Sequence, residues 1–188
     1  LHRLSSAFVL GYHGCDKEVG NRLAAGEAFR NSENAYDWLG HGVYFWESNP
    51  ARAIAFAREA AARGEAIDTP FVVGAVIDLG FCLDLTTTAG VEAVQAAYAN
   101  LADAVRVTGA KMPANSGPWQ RDLDCAVINH LHAVRARSNH EPFQTVKGVF
   151  LEGGLAYENS GFYAKTHIQL CVRDATCIKG VFHVRARA

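Results

Sequence analysis

Three short segments carry residue types that could bind and process a polar ligand. They are Tyr12-His13-Gly14, Gly40-His41-Gly42-Val43-Tyr44-Phe45 and His167-Ile168-Gln169-Leu170-Cys171-Val172. Each reads as a strand that holds one or two polar groups in need of partners. The third shows the logic best. Side chains alternate across a strand, so Ile168, Leu170 and Val172 make one apolar face while His167, Gln169 and Cys171 point the other way. A glutamine on a buried strand must find hydrogen bonds, in protein groups or in a ligand. His13 is equally open, either a hydrogen-bonded core histidine or a ligand contact. Tyr44 is either a core tyrosine or a ring offered for stacking.

The elements that must hold these segments can be read from turn and cap residues. Residues 7–12 read as a strand ending at Gly14, and 16–25 as a helix stopped by Gly26. Residues 29–39 lack a period and read as loop, and 42–46 as an aromatic strand. Asn49 can cap a helix that Pro50 can begin, because proline's missing N–H costs nothing there. That helix runs through 51–63 to Gly64, and Glu47 is expected to help cap it. Residues 71–85 are β-rich with a bend near Gly80. Residues 91–107 and 121–135 read as helices with a loop at 111–118. Strands follow at 146–151, 166–173 and 178–184, with a glycine-containing loop at 152–160. Strands at both ends with helices between predict an α+β fold in which terminal strands pair across the sequence.

The totals fit one domain over residues 1–188, large enough to fold without staples. Hydrophobic residues make up 49% and charged residues 20%, with a formal net charge of -1, which excludes a disordered chain and argues against a strongly basic nucleic-acid coat. The five cysteines form no CxxC, so a reducing cytosol is expected rather than a disulfide framework. His130 and His132 have no cysteine cluster nearby, so no zinc site is expected. No apolar run reaches the roughly 20 residues of a membrane span, and the first residues show no basic-then-apolar leader pattern. Lys179, His183, Arg185 and Arg187 could join His132, Arg135 and Arg137 in a basic patch, against scattered surface charge as the plainer alternative.

In order and spacing the three segments resemble the H-Y-[E/Q] signature of the ADP-ribosyltransferase superfamily, on its diphtheria-toxin and poly(ADP-ribose) polymerase side. Tyr12-His13-Gly14 is similar to the first strand end, Gly40-x-Gly42-Val43-Tyr44-Phe45 to the second strand, and Gln169 with Leu170-Cys171-Val172 to the third. The likeness spans residues 12–172, and the string at 36–47 also resembles a bacterial branch. It implies an ADP-ribosyltransferase fold: two packed, mostly antiparallel sheets forming an NAD cleft, flanked by helices. NAD would be the co-substrate, with no metal. His13 would bond the adenosine ribose, the Gly14 backbone would clamp the nicotinamide amide, and Tyr44 would stack on its ring. Phe56 is either a second stacking ring or helix core. Arg30 and Ser32 would touch phosphate or ribose, and Asp37 and Trp38 either line the cleft mouth or pack.

Gln169 departs from the commoner glutamate. It keeps an acceptor oxygen for a ribose hydroxyl, but it lacks the charge and cannot act as a general base. The expected activity is therefore mono-ADP-ribosyl transfer to a macromolecule, protein or nucleic acid. NAD hydrolysis and an inactive NAD-binding module stand as alternatives. Glu152 and Glu158 are candidates to supply a missing carboxylate. With Tyr157 and Phe162 they belong to a segment placed where the superfamily recognises acceptors. A toxin or defence effector is implied: a monomer without membrane contact, cytoplasmic or delivered to a target cytoplasm, with an inhibitory partner protein.

Overall fold

Asn49 and Pro50 start a helix by the chemistry that singled them out. The Asn49 side chain accepts the Arg52 N–H at 2.9 Å and proline takes the first helical position, opening α2 (Pro50–Ala62). Asp16 caps α1 (Lys17–Ala24) by accepting the Glu18 N–H at 2.8 Å, and it also accepts the Thr69 N–H at 2.9 Å, which ties the cap to the next strand pair. The computed structural model describes residues 8–117 and 119–185; the first residue of the 7–12 strand, the last of the 111–118 loop, and Arg187 lie outside them.

The remaining elements are β1 (Phe8–Asp16), β2 (Val43–Glu47), β3 (Pro70–Asp78), β4 (Cys82–Asp84), α3 (Thr88–Thr108), α4 (Asp122–Arg137), β5 (Thr145–Phe150), β6 (His167–Val172) and β7 (Ile178–His183). The chain is mixed α+β; the described residues form four α-helices and one seven-stranded mixed sheet in the order β4-β5-β6-β2-β1-β3-β7. Among them only β4 and β5 run parallel. Terminal strands do pair across the sequence, as β2 with β6 and β3 with β7.

The expectation of two separate packed sheets is corrected, because the strands form one hydrogen-bonded order. A flat sheet is nevertheless impossible. β3 and β4 are five strand positions apart, about 24 Å at normal spacing. The four Cα steps from Asp78 to Cys82 reach at most about 14 Å. The sheet must therefore fold over on itself, and Gly80, at φ 55°, makes the bend. The fold line is β1 against β2, which share only the pairs Gly11↔Glu47 and Tyr12↔Trp46. Phe45, Leu170 and Val172 from one half meet Ala75 and Ile77 from the other in the central core.

Helices cover the outer faces. α2 lies over Trp46 and Val72, and α4 packs through Ile128 on Leu83, Val146 and Cys171. The alternation read for β6 is present, with Leu170 and Val172 in the central core and Cys171 in the cluster on the other face. α3 begins earlier than its apolar pattern suggests, because Thr87 caps it by accepting the Gly90 N–H at 3.1 Å.

Gly90 tests this docking. Alanine inside a helix normally gains up to about 1 kcal/mol over glycine. Here a Cβ would stand 2.0 Å from the Asp84 carbonyl oxygen. The clash outweighs the propensity, so Gly90→Ala should lose about 1–3 kcal/mol in urea unfolding.

Candidate functional site

The site begins with a hydrogen bond that replaces a ladder bond. The Lys17 N–H donates to the Thr69 carbonyl at 2.9 Å and sets the phase of the β1–β3 ladder. Odd-numbered residues of β1 therefore bond β3, and even-numbered ones face β2. Accordingly the Ser48 N–H donates to the Leu10 carbonyl at 2.8 Å, and Tyr12 pairs with Trp46. The next even residue, Gly14, is due to pair with Tyr44, but the β1–β2 ladder stops before it. The Tyr44 carbonyl instead accepts from His13 Nδ1 at 2.8 Å. The imidazole thus sits where the strands separate, and the Gly14 N–H and C=O face the gap with no β2 partner.

Both residues suit this place. A Cβ on Gly14 would lie 2.3 Å from the Ala53 carbonyl oxygen of α2, so only glycine fits. The His13 ring packs on Phe29 and Phe45 at 5.4 and 5.7 Å. Burial lowers its pKa from 6.5, against the Tyr44 carbonyl that favours the cation. A neutral ring that donates from Nδ1 keeps a lone pair on Nε2, and among the described residues that atom has no partner.

The gap opens into a cleft of about 680 Å³, a size within the roughly 300–1,000 Å³ of small-molecule sites. His13, Gly14, Tyr44 and Gln169 line it, as do Arg30, Ser32, Phe56 and Glu152. Tyr44 is fixed at its far end, donating its hydroxyl hydrogen to the Gly40 carbonyl at 2.8 Å and accepting the Leu39 N–H at 3.0 Å. Burial pushes its phenol far above the ordinary value, so Tyr44 is a ring, not a base. Phe56 packs on Trp46 at 4.9 Å.

Gln169 lies between Trp46 and Gly148 in the sheet. Its Oε1 accepts from Trp38 Nε1 at 2.5 Å. An indole N–H can only donate, so this bond fixes which way the amide points. The oxygen expected to serve a ligand hydroxyl already holds one bond, and the NH₂ group is left without a protein partner among the described residues. Trp38 can approach because Gly148 has no side chain: a Cβ there would meet the indole at 2.6 Å.

The expectation that Glu152 stands ready in a loop is corrected. Its carboxylate is 3% exposed and grips Arg52 Nη2 at 2.7 and 2.9 Å and Arg52 Nε at 3.3 Å. Glu59 and Lys165 extend the pair into a network. Arginine's fork suits such bidentate contact. Tyr157, Glu158 and Phe162 do not line the cleft; they are exposed on a hairpin closed by a Leu155↔Tyr163 bridge. Ser32 bridges Gly42, and its hydroxyl accepts from Asn34 Nδ2. Arg30 is exposed and has no ion pair among the described residues.

Asp37 accepts the Asn34 N–H at 2.8 Å, and burial raises its pKa. Glu47 does not cap α2. It pairs with Lys147 at 2.9 Å instead, because Asn49 fills the cap. In the suggested basic patch His132 is buried, and Arg135 lies over Phe143 at 4.4 Å while bonding the Glu141 carbonyl. Sequence reasoning missed Arg52, Trp46, Trp119 and Phe150 as cleft residues. An arginine in the alanine-rich run 51–57 was a usable signal for Arg52.

Among the described residues no group of three or more His, Cys, Asp or Glu could hold a metal ion, and no helix is long and apolar enough to cross a membrane. Compared with protein-family models, curated proteins and solved structures, the chain finds no match.

Burial ranks the ion pairs. Glu152→Ala strands a buried arginine and should cost about 3–5 kcal/mol in urea unfolding. Glu65→Ala breaks a half-exposed pair with Arg63 and should cost less than about 1 kcal/mol. The pH response has a definite sign. His13, His132 and His167 are all lowered below 6.5 by burial, His132 to about 4. The folded state then binds fewer protons than the unfolded chain, so stability is full above pH 6.5 and falls as the pH drops toward 4. His132 alone accounts for roughly 3 kcal/mol of that loss. Denaturant midpoints measured between those limits should show the fall, and His132→Leu should flatten it.

Proposed function

We propose that this chain has an ADP-ribosyltransferase fold and binds NAD in the cleft, breaks the nicotinamide–ribose bond and passes single ADP-ribose units to a macromolecular acceptor. One observation carries the reading: at the split strand, the Gly14 N–H and C=O face the gap between Tyr44 and α2. A primary carboxamide presents the complementary acceptor and donor, so nicotinamide can be held by two backbone bonds while its ring lies against Tyr44. Offset ring contact of this kind contributes about 0.5–1.5 kcal/mol beyond burial.

The other cleft groups suit the rest of NAD. The His13 Nε2 lone pair accepts from a ribose hydroxyl, and the exposed Arg30 guanidinium faces phosphate. Gln169 stands at the ribose next to the bond that breaks, its amide aimed by Trp38. Without a carboxylate there, catalysis rests on orientation, with the Gln169 NH₂ donating to a ribose hydroxyl oxygen and holding the sugar in place. The step is dissociative: the bonding pair leaves with the nicotinamide nitrogen, and the acceptor captures the ribosyl carbon from the opposite face.

The test is a thermal shift with NAD followed by assay of free nicotinamide and of label transferred from NAD carrying a radioactive adenylate phosphate. Binding, release and transfer together support the reading. Release without transfer makes the protein an NAD glycohydrolase, and binding without release makes it an inactive module. Absence of binding overturns the reading altogether. In the active case Trp38→Phe, which frees the Gln169 amide, should lower kcat by about tenfold or more with a smaller change in KM.

A further inference from the structure

We propose that the acceptor is a nucleobase of single-stranded nucleic acid, stacked on an aromatic platform beside Gln169; this rests on the ADP-ribosyl-transfer reading above. β6 lies between β2 and β5, so Gln169 has Tyr44 and Gly14 to one side and Phe150 to the other. On the Phe150 side three rings follow one another. Trp38 is 5.0 Å from Phe150, and Phe150 is 6.3 Å from Trp119.

Trp119 lines the cleft yet is 56% exposed. It stands on a turn closed by the Ser116 N–H donating to the Gln120 carbonyl at 2.9 Å. Asn115 pins that turn to the start of α4, its Oδ1 accepting the Leu123 and Asp124 N–H groups. These bonds leave the Trp119 indole out of the core and beside the cleft. Base–aromatic stacking accepts any base, because every base has a π-face. Beside it the exposed Gln120 side chain also lines the cleft and has no partner among the described residues. Its amide offers the donor and acceptor that a base edge requires.

The chemistry points the same way. Asp37, Glu59, Glu65 and Glu152 line the cleft, and each is bound to another group. Gln169 takes no proton, and the His13 Nε2 lone pair is held by the ribose hydroxyl of NAD. The acceptor must therefore attack without first being deprotonated. A lysine ammonium has no lone pair until it loses a proton, and a hydroxyl is a weak nucleophile when no base draws on its proton, whereas the unprotonated ring nitrogens of adenine, cytosine and guanine offer a lone pair at neutral pH. A protein carboxylate also attacks unaided, but three rings and an amide do not complement it.

The balance is simple. The ribose C1′–N bond breaks, and its electron pair neutralises the nicotinamide ring. A base nitrogen lone pair forms the new C1′–N bond, and any proton on that nitrogen leaves to water. Arg30 is the one arginine lining the cleft without a carboxylate partner among the described residues, so phosphate contacts are few and salt dependence is shallow.

The experiment incubates the protein and phosphate-labelled NAD with single-stranded DNA and RNA of about 12 nucleotides. A parallel sample holds a nuclease-treated mixture of cell proteins. The expected result is label in an oligonucleotide, falling by less than about tenfold between roughly 50 and 200 mM salt. Trp119→Ala should lower that labelling by about tenfold or more and Trp119→Phe should largely restore it. Label confined to protein, or undiminished labelling by Trp119→Ala, overturns this inference alone. NAD cleavage with neither sample labelled overturns it together with the transfer reading and leaves a glycohydrolase, and absence of NAD binding removes the whole reading.

Discussion

The hydrogen bond from His13 Nδ1 to the Tyr44 carbonyl is the contact on which the cleft depends. In an unbroken ladder that carbonyl would belong to the Gly14 N–H, and the two strands would stay zipped. A side chain of the right length, buried and neutral, takes the acceptor instead and opens a gap one residue wide. Everything chemically useful nearby follows from that exchange. A peptide unit is released from the sheet, an imidazole lone pair is turned outward, and an aromatic ring anchored by its own hydroxyl is left beside them.

The folded-over sheet makes the gap deep. Because β3 and β4 are joined by a link too short for a flat sheet, the two halves lean together and α2 is brought against the free end of β1. Gly14 marks the closest approach, at Ala53. The Arg52–Glu152 pair then fastens α2 to the far end of β5, across 100 residues of sequence. Buried ion pairs are poor sources of net stability. This one closes the wall of a cleft, and its value lies in fixing where α2 and the 152–165 hairpin stand relative to the sheet.

What could be read from sequence and what could not divide along physical lines. Local chemistry was legible: the Asn49-Pro50 helix start, the Gly80 bend and the two faces of β6. So was the set of segments that line the cleft, through His13, Tyr44 and Gln169. Long-range pairing was not. Trp38 and Gln169 are 131 residues apart, and nothing in either neighbourhood says that an indole will occupy the glutamine's oxygen. Glu152 looked like a loop carboxylate because its arginine lies on another element. The early start of α3 was missed because its apolar pattern begins at Val91, whereas the cap that starts it is Thr87. The separation into two sheets was an error of connectivity rather than of shape, since two residue pairs suffice to join the halves.

The central place of β6 bears on how the protein comes to exist in a cell. Synthesis proceeds from the amino end, and domains generally fold as units. β6 follows β1 to β5 in the sequence, yet it is inserted between β2 and β5. Until it leaves the ribosome, β2 lacks one neighbour and β4 and β5 have nothing to join them to the rest. The parts of the cleft contributed by β1, β2 and α2 are made about a hundred residues before β6, but they cannot be assembled around Gln169 until it is available. The cleft therefore cannot close around Gln169 until β6 has been made.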